Sequence, residues 1–123
     1  MVLGMFVVLL THNLEGSRAF YERIGQSFVR EQHGKGPVHY SAMQDGDAPI
    51  TVEIFPAGEH AIYFQQDKFF VGFEVDENPF VLQRELVAKH GGEELLRHPP
   101  VRNAAWLRDP QGLLVRLSQV RPK

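Results

Sequence analysis

Two short segments, Val52-Glu53-Ile54 and Val115-Arg116-Leu117, each set one charged side chain between two β-branched or apolar ones. A carboxylate and a guanidinium placed this way can hold the polar ends of a small ligand or pair with each other. If such a pair is buried, losing one partner costs roughly 3–5 kcal/mol. His39, in another β-forming segment, is the histidine best placed to join them, as a hydrogen-bonding wall residue or as a base. Met5, Phe55, Phe70 and Trp106 supply apolar and aromatic surface for a planar guest. There is no cysteine, so disulfides, thiolate-held clusters and thiol nucleophiles are excluded. No two histidines stand four apart on one helix, so the sequence contains no helical zinc pair.

The chain has 123 residues, 43% hydrophobic and 23% charged, which suits one folded domain spanning residues 1–123. A net charge of −2 leaves no basic footprint for nucleic acid. The apolar start, Met1–Leu10, has no basic residues before it and is too short to cross a bilayer, which takes about 20 apolar residues. It reads as a buried strand, with no membrane partner and a cytoplasmic location expected.

Two helices are punctuated clearly. Asn13 precedes Leu14–Ile24 and Gly25 follows; Asn78 and Pro79 open a second helix that closes at Gly91-Gly92, with Lys89 and His90 in its last turn. Strands are expected at Met5–Leu10, Ser27–Glu31, Val38–Met43, Ile50–Phe55, Phe69–Val75, Ala104–Arg108 and Leu113–Ser118. Turns are expected at Gln44-Asp45-Gly46-Asp47 and at Asp109-Pro110-Gln111-Gly112, the latter a type I signature. His12, His33, His60 and His98 fall in loops. Gly16 sits in a first helical turn, where it costs up to about 1 kcal/mol against alanine, without an evident reason.

The landmarks repeat. Asn13 and Asn78 are 65 residues apart, Gly25 and Gly91 66, Asp45 and Asp109 64, and the two charged triplets 63. One nearly constant offset in one order describes a tandem pair of βαβββ units, about 1–56 and 69–121, joined by Ala57–Lys68, a linker that is ordered if Tyr63 and Phe64 pack. Alternation puts Val52 and Ile54 against a helix and Glu53 and Phe55 on the other face; likewise Val115 and Leu117 against a helix, Arg116 on the other face. It also sends Phe69 and Phe73 to the helix side and Phe70, Gly72 and Glu74 to the other, where the gap at Gly72 admits a ligand edge or a close backbone.

This order of landmarks resembles the vicinal-oxygen-chelate superfamily, the glyoxalase/bleomycin resistance protein/dioxygenase family. The residues carrying the likeness are Asn13-Leu14-Glu15-Gly16-Ser17-Arg18-Ala19-Phe20-Tyr21 and Asp109-Pro110-Gln111-Gly112 followed by Leu-Leu-Val-Arg-Leu. The resemblance implies an α+β, glyoxalase-like fold in which the two units form a concave eight-stranded mixed sheet around a cleft. It also implies a divalent metal in the enzyme members, held by two His and one or two Glu from the first and last strands of each unit. Carried over by position, those slots fall on Met5 or Phe6, on Phe70, on Glu53 and on Arg116. One donor of four remains, and an arginine cannot ligate.

Three functional readings follow. The first is a metal-independent, cofactor-free small-molecule-binding protein, a homodimer as drug-sequestering relatives are. Its cleft, with Met5, Phe55, Phe70, Trp106 and His39, holds a planar or amphipathic ligand whose polar ends meet Glu53 and Arg116, the two paired where a metal would otherwise sit. The second is a lactoylglutathione-lyase-like or dioxygenase-like metalloenzyme with ligands drawn from Glu53, His39 and Glu74. The third is an interaction module with a vestigial cleft.

Overall fold

A computed structural model describes residues 5–44, 49–58, 70–96 and 103–119. The element order is β1 (Met5–Thr11), α1 (Leu14–Ile24), β2 (Val29–Glu31), β3 (His39–Gln44), β4 (Ile50–Pro56), β5 (Val71–Val75), α2 (Pro79–His90), β6 (Glu93–Leu95), β7 (Ala104–Arg108) and β8 (Leu114–Gln119). The strands form two four-stranded mixed sheets, ordered β1-β4-β3-β2 and β5-β8-β7-β6. Each is a βαβββ unit with its first strand parallel to its last, so the duplication read from the offsets is real at the level of hydrogen bonding. Residues Asp45–Asp47, Tyr63, Phe64, Phe69, His60 and His98 lie outside the described residues.

In the first unit, alternation sorts the strands as expected. Leu9, Tyr40, Ala42, Val52 and Ile54 are buried on one face, while Phe6 and Met43 are exposed on the other. Helix α1 lies on the buried face. Its Ser17 hydroxyl is 2.7 Å from that of Thr11, and its Glu15 carboxylate accepts a 2.6 Å hydrogen bond from Tyr40. That bond, with a second from Arg18, holds the Glu15 carboxyl below the usual carboxylate range.

In the second unit Val115 and Leu117 are buried, as are Ala105 and Leu107 beside them, and Leu82 and Leu86 of α2 are wholly enclosed. Gln83 of α2, 2% exposed, donates to the Trp106 carbonyl at 2.6 Å. It thereby ties the helix to the middle of β7. Asn78 caps α2 by accepting from the amides of Phe80 and Val81, and Gly91 ends it in the left-handed region at φ 77°. The Asp109 carboxylate accepts from the amides of Gln111 and Leu113, closing the turn into β8. β6 is a three-residue strand, Glu-Glu-Leu, without alternation, and no sequence signal marks its position.

The structure supplies the reason for Gly16. The Asn13 side chain accepts from the Gly16 amide at 3.0 Å, and a Cβ built on Gly16 would stand 2.6 Å from the Asn13 amide nitrogen. Glycine therefore leaves room for the cap. Gly16→Ala is expected to gain less than the up to about 1 kcal/mol that helix propensity offers, and to gain the full amount once Asn13→Ala has removed the cap. Urea denaturation of the four-member cycle reads this coupling; equal effects of Gly16→Ala in both backgrounds contradict it.

Candidate functional site

The outward face of the first sheet is organised by register. β1 sets Val8 opposite Glu53 and Leu10 opposite Phe55, and β3 sets Ser41 opposite Glu53 from the other side. Glu53 is half-buried, between an aliphatic side chain and a hydroxyl. One pair of residues further along, the His39 ring lies flat on Phe55, centroids 4.0 Å apart and planes 10° from parallel. His39 is 2% exposed, and its Nδ1 is 3.1 Å from the Pro37 carbonyl. Its two ring nitrogens face two acceptors, the Pro37 carbonyl at Nδ1 and the Glu31 carboxylate at Nε2, 3.3 Å away. The structure thus brings Glu53, Phe55 and His39 onto one face. His39 is a hydrogen-bonded wall residue, and its carboxylate neighbour is Glu31 rather than Glu53. Met5 pairs in register with Ile50, one residue out of phase with Thr51, Glu53 and Phe55.

The second sheet repeats the layout with different chemistry. Gly72 of β5 and Trp106 of β7 flank Arg116 of β8 in register, and Leu95 follows Trp106 on β6. The Arg116 guanidinium carbon lies 5.8 Å from the centre of the buried Trp106 ring, within cation–π range. Phe70 sets its edge on the same ring at 4.8 Å while remaining 47% exposed. The Arg116 Nε is buried and has no hydrogen-bond partner among the described residues. Gly72 contributes no side chain on its side, and among the described residues a Cβ there would meet only Phe70, at 3.9 Å.

Glu53 and Arg116 hold equivalent register positions, each in the last strand of its unit beside the first. Val8 faces Glu53 and Gly72 faces Arg116; Phe6 lies two residues before Val8, paired with Thr51, and Phe70 two residues before Gly72, ahead of β5. Phe6 and Phe70, like Val8 and Gly72, carry no side-chain donor, arginine carries a fixed positive charge, and among these residues Glu53 alone offers a carboxylate. The set does not fit a divalent ion at these positions.

Among the described residues one group of three potential donors converges elsewhere, Glu31, His33 and His39 on the β2–β3 hairpin. Reading His33 as a plain loop residue missed this group. The visible signal was a Glu and a His on either side of a Gly-Lys-Gly turn, but only the pairing of Glu31 with His39 shows that they meet.

Among the described residues Arg116 leaves a buried charged donor without a partner, at a cost of about 1–3 kcal/mol. Replacing it by an apolar side chain of similar length removes that cost. Arg116→Met is expected to raise unfolding stability by about 1 kcal/mol in urea denaturation; a loss of stability shows instead that the guanidinium is satisfied in the folded chain.

No protein-family model matches the sequence, and no curated protein matches it. Solved structures do. A hypothetical protein from S. aureus is 18% identical and superposes with a TM-score of 0.72, covering 98% of this chain and 95% of that one. A glyoxalase/bleomycin resistance protein from Albidiferax ferrireducens is 22% identical with a TM-score of 0.64, covering 95% and 97%. The fosfomycin resistance protein FosX from Mesorhizobium loti is 19% identical with a TM-score of 0.65, covering 92% and 87%. No helix among the described residues is long and apolar enough to cross a membrane. With its two βαβββ units and these structural likenesses, the chain has the fold of the glyoxalase/bleomycin resistance/dioxygenase proteins.

Proposed function

We propose that this protein binds a planar or amphipathic small molecule bearing an anionic group, and does so without a divalent ion at the strand positions where the enzymes of this fold family are expected to hold one. The observation that carries this reading is Arg116. Among the described residues its buried Nε has no partner, Gly72 adds no side chain on one flank, and the other flank is Trp106 with Phe70 against it. A carboxylate or phosphonate satisfies the guanidinium through paired N–H donors, and an attached ring packs against the aromatic pair. Glu53 holds the matching register position of the first unit, with Phe55 and His39 on its own sheet face, and is kept apart from this assignment. The chemistry is recognition: no nucleophile or base stands beside Arg116 on its row. The resemblance behind this reading also implies a homodimer, which light scattering on the intact chain measures.

The test uses protein stripped with a chelator and a panel of aromatic carboxylates, each matched with its neutral amide. The carboxylates are expected to raise the melting temperature and the amides not, because a ligand that binds only the native state stabilises it. A charge-assisted hydrogen bond contributes about 1.5–3 kcal/mol, so Arg116→Met weakens binding by about 10-fold or more in calorimetry, and Gly72→Leu, which adds a side chain on that flank, does likewise. Equal binding of acids and amides contradicts the reading. So does binding that returns only when a divalent ion is restored and is lost in Glu53→Gln.

A further inference from the structure

We propose that the β2–β3 hairpin carries a site for a borderline divalent cation such as Zn2+, built from Glu31, His33 and His39 and separate from the Arg116 row. The Glu31 carboxylate Oε2 is 3.3 Å from Nε2 of His39 and 3.6 Å from Nε2 of His33, and the three donors lie within 4.8 Å of one another. Ligands at about 2.0–2.1 Å from a tetrahedral ion stand roughly 3.3–3.4 Å apart, so the two measured spacings already approximate edges of such a tetrahedron.

The groups around the donors are those a metal site needs. With its hydrogen on Nδ1, the His39 ring donates to the Pro37 carbonyl 3.1 Å away, which fixes the ring and leaves the Nε2 lone pair for the ion. This is the outer-shell arrangement common to metal-binding histidines. Phe55 stacked on one side of the ring excludes water there, and His39 as a whole is 2% exposed. Nε2 of His39 and the Glu31 carboxylate oxygen stand 3.3 Å apart, a gap bridged either by a hydrogen on Nε2 or by a cation bound to both. The His33 carbonyl accepts from the Gly36 amide at 2.9 Å, so the turn that carries His33 is closed by its own hydrogen bond. His33 is 79% exposed and Glu31 37%, which gives the ion a path in from solvent. Two imidazoles and a carboxylate suit zinc and its neighbours rather than magnesium or calcium, and three protein donors leave a fourth position for water or an anion.

The experiment titrates Co2+ and then Zn2+, each alone, into the full chain freed of metal by chelator. Co2+ is expected to give the intense visible bands of a tetrahedral site at one equivalent, which Zn2+ displaces. Because His33 is exposed, His33→Ala keeps the fold and is expected to weaken binding by at least about 10-fold in calorimetry; Glu31→Gln is expected to do the same, and His12→Ala to change nothing. Binding unaffected by His33→Ala and Glu31→Gln overturns the site, as does the absence of tetrahedral Co2+ bands in the parent protein. Neither result bears on Arg116, whose ligand binding is measured with chelator present.

Discussion

Everything in each unit depends on one pairing, the parallel hydrogen bonding of the first strand to the last. β1 runs beside β4 and β5 beside β8, and β3 and β7 complete the frame from the other side. Once that register is set, strand alternation leaves no freedom. Val52 and Ile54 must be buried for the first sheet to have a core, and Glu53 between them must then face outward; Val115 and Leu117 impose the same on Arg116. A slip of one residue would bury both charges and expose the core, so the hydrophobic gain of the core is also what holds the site residues in place.

The same pairing shows how one scaffold can change its chemistry by few substitutions. Glu53 and Arg116 occupy equivalent places, yet one is a candidate ligand and the other a cation that repels metals. The flanking residues follow suit. Beside Glu53 stand a valine and a serine; beside Arg116 stand a glycine, which opens space, and a tryptophan, which offers a π face. The second unit gives up some stability here, since a buried donor without a partner is unfavourable in the free protein. Strain of this kind is expected where a ligand completes the hydrogen bonding.

Much of the fold was legible because local rules agreed. Both helices were readable to the residue from their caps, as Asn78 with Pro79 and Gly91 shows, and β7 from its apolar run. What stayed hidden required knowledge of distances across the chain. β6 is three residues of edge strand held by α2 through Gln83, and nothing local writes it. The role of Gly16 depends on where the Asn13 side chain turns after capping the helix. Likewise Glu31 and His39 are eight residues apart and become neighbours only through the hairpin register, so a search for close histidine spacing passes over them. Of the aromatic and charged residues selected from sequence, Glu53, Phe55 and His39 share one sheet face and Arg116, Trp106 and Phe70 gather in the other unit. The residues beside Glu53 and Arg116 on the first strands, Val8 and Gly72, emerged only from the parallel register.

The claim at the centre is that a guanidinium, not a metal ion, receives the anionic group of the ligand. The most direct measurement follows the Nε–Hε resonance of Arg116 by 15N NMR, assigned by its loss in Arg116→Lys, while an aromatic carboxylate is added in the presence of chelator. The account predicts that this resonance moves progressively as the carboxylate saturates, because the buried Nε–H gains its missing acceptor. A resonance that stays still while the carboxylate binds contradicts it.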